Sequence, residues 1–197
     1  MFSLPLYHRL PEHLHVGCEA PHAYLIPYHD AASALAGRRN ASRFFRSLDG
    51  EWKFRWYENE EKAEADRFLT PGFCDTLTES LPVPSCWQAF HEERGYDTPN
   101  YVNIHYPFPV DLPHLPQNDP CGLYMRRVTL SAEEAAAEDI RMVFEGVASC
   151  FYLWINGQFA AYSQVSHATS EIRVASYLHE GENEIAVLVF KWCDGSY

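Results

Sequence analysis

From Leu123 to Trp192 the chain is a succession of short apolar segments separated by turn residues, and that pattern restricts the fold most. The segments are Leu123-Tyr-Met-Arg-Arg-Val-Thr-Leu130, Ile140-Arg-Met-Val-Phe-Glu145, Cys150-Phe-Tyr-Leu-Trp-Ile155, Phe159-Ala-Ala-Tyr162, Ser170-Glu-Ile-Arg-Val174 and Glu184-Ile-Ala-Val-Leu-Val-Phe-Lys-Trp192. Each is rich in β-branched and aromatic residues, which fit a pleated surface. Asn156-Gly157 falls between two of them and is the strongest short hairpin signal, because both positions accept positive φ. Gly181-Glu-Asn183 turns into the last segment. Short antiparallel strands at this spacing predict an all-β chain, a β-sandwich of the jelly-roll kind.

Upstream, Asp49-Gly50 marks a tight turn before Trp52-Lys-Phe-Arg-Trp56, whose alternation predicts a half-buried strand. One or two short helices are expected, among three pieces with helical signals. Ala31–Ala36 is stopped by Gly37, Asn59 caps a run to Leu69 that ends at Thr70-Pro71, and Ser131-Ala-Glu-Glu134 is a capping-box pattern. Residues 1–41 carry Pro5, Pro11, Pro21 and Pro27 with little periodicity and are expected to form an irregular N-terminal arm. The sandwich domain is then expected over 42–197.

Composition excludes several functions. The hydrophobic fraction of 47% is ample for a packed core and argues against disorder. A net charge of -12 with no basic stripe argues against nucleic-acid binding. No stretch approaches the roughly 18 consecutive apolar residues of a membrane span, and the first residues lack the pattern of a secretory signal. The six cysteines are scattered without C-x-x-C spacing, which favours reduced thiols in a cytoplasmic protein. The ten histidines, including His13 and His15, show no metal-ligand spacing.

The segment Gly95–Asp111 gathers three tyrosines, a phenylalanine, three prolines and two asparagines. Proline pushes its predecessor toward extended backbone, so a stiff loop is expected there. Aromatic rings that cover C–H faces, with amides and carboxylates for hydroxyls, suit a sugar. Rings that only plug a core are the alternative.

Several motifs together carry a resemblance. Phe144-Glu-Gly-Val-Ala-Ser-Cys-Phe-Tyr-Leu-Trp-Ile-Asn-Gly157, Tyr162-Ser163 and Gly181-Glu-Asn-Glu-Ile-Ala-Val187 resemble the N-terminal sugar-binding jelly roll of glycoside hydrolase family 2. Tyr101-Val-Asn-Ile-His-Tyr-Pro-Phe-Pro109 and Lys191-Trp-Cys-Asp-Gly-Ser-Tyr197 resemble segments of its large bacterial β-galactosidases, the LacZ type. The chain departs from that pattern at Ser166-His167, where Ser-Arg is common. It departs again at Asp119 before Pro120, where asparagine is usual, and at Cys193, where serine is common.

The resemblance implies a non-catalytic domain of a retaining glycosidase that hydrolyses terminal β-galactosides. The catalytic carboxylates of such enzymes lie in a (β/α)8 barrel further along the chain, after an immunoglobulin-like domain. No catalytic residue is therefore expected here, and Glu145, Glu171 and Asp97 are expected to be structural. By resemblance, Asn103 reaches into the galactose subsite, and Asp194 contacts galactosyl hydroxyls and helps bind a sodium ion. No cofactor is expected in the isolated domain, while sodium and magnesium are expected in the full-length enzyme. The expected partners are the β-galactoside, the downstream domains and further copies in a homo-oligomer, with no nucleic acid and no membrane. An autonomous carbohydrate-binding module, a purely structural domain serving oligomer contacts and a sister β-glucuronidase or β-mannosidase are the alternatives.

Overall fold

The computed structural model describes residues 3–100, 107–109, 111 and 114–196. In chain order its elements begin with β1 (His15–Val16), α1 (Ala31–Leu35), β2 (Gly50–Tyr57), α2 (Glu60–Asp66), α3 (Phe73–Thr76), β3 (Glu79–Val83) and α4 (His91–Arg94). They continue with β4 (Cys121–Leu130), α5 (Ala132–Ala135), β5 (Arg141–Phe144), β6 (Cys150–Ile155), β7 (Gln158–Gln164), β8 (Ser170–Arg173) and β9 (Gly181–Phe190). Seven strands form one sheet in the order β1-β7-β6-β9-β4-β2-β3, and β5 and β8 form a second, two-stranded sheet. Every pairing is antiparallel.

The central strands are covered on both faces, which explains their unbroken apolar runs. Successive side chains of a strand point to opposite faces. Cys150, Tyr152 and Trp154 of β6 join Ala186, Leu188 and Phe190 of β9 in one core. Phe151, Leu153 and Ile155 join Ile185, Val187 and Val189 in the other. The first core is closed by Leu4 and Tyr7 of the N-terminal segment, Ala63 of α2, Phe68, and Phe73 of α3. The second is closed by the small sheet, through Met142, Phe144 and Ile172, and by Trp87 and Tyr96. A fully buried Leu, Ile or Phe is worth about 1.5–3 kcal/mol, so these two cores hold the fold rather than the short helices; α1 buries no residue.

The expected strands all form, with ends shifted by a few residues. β6 and β7 are joined through Asn156 at φ 51° and Gly157 at φ 74°, as the hairpin signal required. Asn156 also ties the hairpin to β9: its Nδ2 donates to Asn183 Oδ1 at 2.8 Å, and its Oδ1 accepts from Glu184 N at 2.9 Å. Asn59 caps α2, and Ser131 with Glu134 forms the capping box of α5. β1, β3, α3 and α4 were not legible in advance. β3 contains Pro82, which offers no N–H to a ladder, and it lies at the edge of the sheet, where proline is tolerated.

The N-terminal segment is bound onto the sheet rather than loose beside it. Val16 pairs with Tyr162 and His15 with Ser163. Gly17 sits at φ 74°, and a Cβ there would lie 2.3 Å from the Ala160 carbonyl oxygen, so only glycine allows so close a crossing. The Tyr152 hydroxyl accepts from the His8 backbone N–H at 3.1 Å, lies 2.8 Å from His8 Nδ1 and donates to the Pro5 carbonyl at 2.8 Å. His8 is fully buried, stacked on Phe190 with ring centroids 4.4 Å apart, and its Nε2 lies 2.9 Å from Glu60 Oε2.

Candidate functional site

β9 ends at Phe190, and the chain then makes a short 3-10 turn over Asp194–Ser196. The Cys193 N–H donates to Ser196 Oγ at 3.0 Å and the Ser196 N–H to the Cys193 carbonyl at 2.8 Å, which closes the turn. Asp194 Oδ1 is buried and has no hydrogen-bond partner among the described residues. Burial pushes this carboxyl above its usual range, opposed by the backbone N–H groups of Gly195 and Asp194 and by the Gln164 side chain.

Gln164, the last residue of β7, is 2% exposed. Its Nε2 donates to the His13 carbonyl at 3.3 Å, while its Oε1 is buried and unpartnered. A Cβ on Gly195 would come within 3.1 Å of that oxygen, so the bare glycine lets the turn lie against it. Asp194 Oδ1 and Gln164 Oε1 are thus two buried oxygens without a hydrogen-bond donor among the described residues, and both are of the kind that a hard cation takes as ligands.

Lys191 joins this turn to the loop that opens at Gly95. Its ammonium group donates to Asp97 Oδ2, to the Thr98 carbonyl at 2.9 Å and to Asn100 Oδ1 at 2.6 Å. The next residue, Trp192, meets Phe108 edge to face with centroids 5.5 Å apart. Residues 97–100 and residue 108 therefore both rest on one dipeptide at the end of β9. Behind it, Asp119 accepts from the Trp192 N–H at 3.0 Å through Oδ1, and its buried Oδ2 has no partner among the described residues. Burial holds the Asp119 carboxyl well above the ordinary carboxylate range.

Asn103 lies outside the described residues. Asp194 stands at the turn just described. The three acids expected to be structural are all in ion pairs: Glu145 with Arg39 at 2.6 Å, Glu171 with Arg141 at 2.5 Å, and Asp97 with Lys191. Sequence reasoning did not single out Gln164 or Lys191. Neither has a local signal, since Gln164 meets His13 across 151 positions and Lys191 meets Asp97 across 94. Among the described residues no group of three or more His, Cys, Asp or Glu could hold a metal, and no helix is long and apolar enough to cross a membrane.

The fold is that of an antiparallel β-sandwich with a short polar turn following its central strand β9. Residues 45–197 match the family described as "Glycosyl hydrolases family 2, sugar binding domain". The chain is 41% identical to a β-galactosidase of Actinobacillus pleuropneumoniae over 194 residues, covering 98% of this chain and 18% of that protein. It is 37% identical to a β-galactosidase of Priestia megaterium, covering 98% of this chain and 19% of that one. Among solved structures, an uncultured Clostridium sp. β-glucuronidase shares the fold with a TM-score of 0.51 at 19% identity, over 73% of this chain and 21% of that one. The chain belongs to glycoside hydrolase family 2 as its sugar-binding domain, and it spans less than a fifth of the length of these curated relatives.

Proposed function

We propose that this domain is part of a retaining β-galactosidase and supplies one wall of its galactose subsite. The barrel and immunoglobulin-like domains of the same protein would supply the catalytic carboxylates and the rest of the site. Similarity to β-galactosidases over nearly the whole chain supports the activity. The single structural observation that favours a site at this end is the Lys191 link between the Asp97–Asn100 loop and the Asp194 turn.

In this reading Asn103 hydrogen-bonds galactosyl hydroxyls, and Asp194 contacts galactosyl hydroxyls and would help hold a sodium ion beside the sugar. The buried, unpartnered Oδ1 supports the cation role, because a buried carboxylate oxygen without a donor is offset by a positive charge. Gln164 Oε1 is the second donor this chain offers. When bound, such a cation would supply positive charge toward neighbouring hydroxyl oxygens. The residues here bind and position; they transfer no proton to the glycosidic bond. The complete enzyme is read as a cytoplasmic homo-oligomer.

The test is to assay the full-length protein and the 197-residue chain on chromogenic β-galactoside, β-glucuronide and β-mannoside. Cleavage of the galactoside by the full-length protein alone is expected. Preference for either other glycoside, or turnover by the isolated chain, would overturn the proposal.

A further inference from the structure

β3 begins at Glu79, opposite Phe54, whereas β2 runs on to Tyr57. Among the described residues the outer edge of β2 at Arg55–Tyr57 therefore has no strand beside it. A cleft of about 350 Å³ opens at that notch, lined by β2, by Thr78 and Glu79, and by Arg94, Gly95 and Tyr96 at the end of α4. That volume is at the small end of ligand sites, which run to roughly 300–1,000 Å³.

The aromatic side of the cleft is braced. Trp56 stacks on Tyr96 with centroids 6.5 Å apart, and Tyr96 meets Phe54 edge to face at 5.4 Å. The Tyr96 hydroxyl donates to Glu79 Oε2, which ties ring and carboxylate together. The polar side keeps unused capacity. Trp56 Nε1 is buried without an acceptor among the described residues, and an indole N–H only donates. Arg94 gives one N–H to the Ser80 carbonyl at 2.8 Å, and Arg94, Glu79 and Thr78 are all exposed. Charge then selects the ligand. Arg94 and Glu79 set opposite signs on one small cleft, so a free anion meets Glu79 and a free cation meets Arg94. Arg55 does not tip that balance, because Asp66 pairs with it at 2.6 Å. A neutral molecule with hydroxyl donors, oxygen acceptors and C–H faces suits every group present.

We propose that this cleft is a second saccharide site, separate from the Asp194 turn, which takes one neutral sugar unit, free or at the end of a glycan. Trp56 Nε1 and Arg94 donate to sugar oxygens, Glu79 accepts from hydroxyls, and the Thr78 hydroxyl does either. The cleft shares no residue with the Asp194 turn, so it does not depend on the β-galactosidase reading.

The 197-residue chain, whose two cores are built from its own residues, is titrated with galactose, glucose and lactose, and separately with sodium acetate and ethylammonium chloride, by two-dimensional 1H–15N NMR. A sugar should shift the Trp56 indole N–H and the Gly95 and Tyr96 amides saturably, with a Kd of order 1 mM, and neither ion should. A response to lactose assigns a glycan end and a response to the monosaccharides alone a free sugar; either supports the site. Trp56→Phe and Arg94→Ala should each weaken binding by about 5–10-fold. Arg94 is exposed, so its variant decides the matter if Trp56→Phe does not fold. The site is overturned if no sugar shifts these signals up to its solubility, or if an ion shifts them as strongly as a sugar. It is equally overturned if the Gly195 amide responds in their place, or if Arg94→Ala binds as tightly as the parent.

Discussion

Replacing Lys191 with methionine removes three polar contacts and keeps most of the packing, which isolates the link between the loop and the end of β9. Breaking one side of a buried ion pair costs about 3–5 kcal/mol when the abandoned charge stays dry. The Asp97 side chain is 20% exposed against 8% for Lys191, so water can reach the carboxylate once the ammonium is gone. The lower end of that range, about 3 kcal/mol, is therefore expected. For a chain of this size each kcal/mol moves Tm by about 2–4 °C, so the midpoint should fall by roughly 6–12 °C. The assay is urea unfolding of the 197-residue chain, followed by tryptophan fluorescence, on Lys191→Met, Asp97→Asn and the double variant. A coupling energy of about 1.5–3 kcal/mol is expected from the cycle, with an unchanged slope against urea. Hydrogen exchange should also quicken at the amides of Asp97, Thr98 and Asn100 before it quickens in β9. A loss under about 0.5 kcal/mol with no coupling would show that the link does not hold the loop, and the reasoning would fail.

Two further outcomes follow from the buried polar groups. Tyr152→Phe deletes one oxygen that serves His8 and Pro5, and it should cost about 2–4 kcal/mol in urea unfolding because buried His8 groups lose their partner. Limited proteolysis of that variant should cut the segment before Arg9 first. Asp119 is protonated more readily in the folded than in the unfolded chain, so in the window between its ordinary value of 3.8 and its raised folded value the native state binds more protons. Stability attributable to this group therefore falls as pH rises through that window. Asp119→Asn should accordingly be at least as stable as the parent at pH 7, with an advantage that disappears as pH is lowered toward 4; a larger advantage in acid would contradict this.

Much of the sheet was legible because its strands are apolar on both faces, and runs such as Cys150–Ile155 admit little else at that length. Asn156-Gly157 and the caps at Asn59 and Ser131 worked for the same reason: each is a local backbone requirement written into one or two residues. β3 was hidden by Pro82, whose edge position only the assembled sheet reveals. β1 was hidden because two residues carry no periodicity. The site was far less readable. Asp194 was visible only through the resemblance, and its surroundings depend on Gln164 arriving at its turn from β7. Lys191 looked like one more strand residue until the loop it holds came into contact.

The central claim is that the Asp194 turn serves a galactose subsite completed by the rest of the enzyme. It is tested most directly by kcat/KM of full-length protein on a chromogenic β-galactoside, titrated with sodium and with magnesium, for the parent and Asp194→Ala. A fall of about 10–100-fold with unchanged Tm, together with loss or weakening of the cation response, is the expected result. Equal kcat/KM and the same cation dependence in both proteins would contradict it.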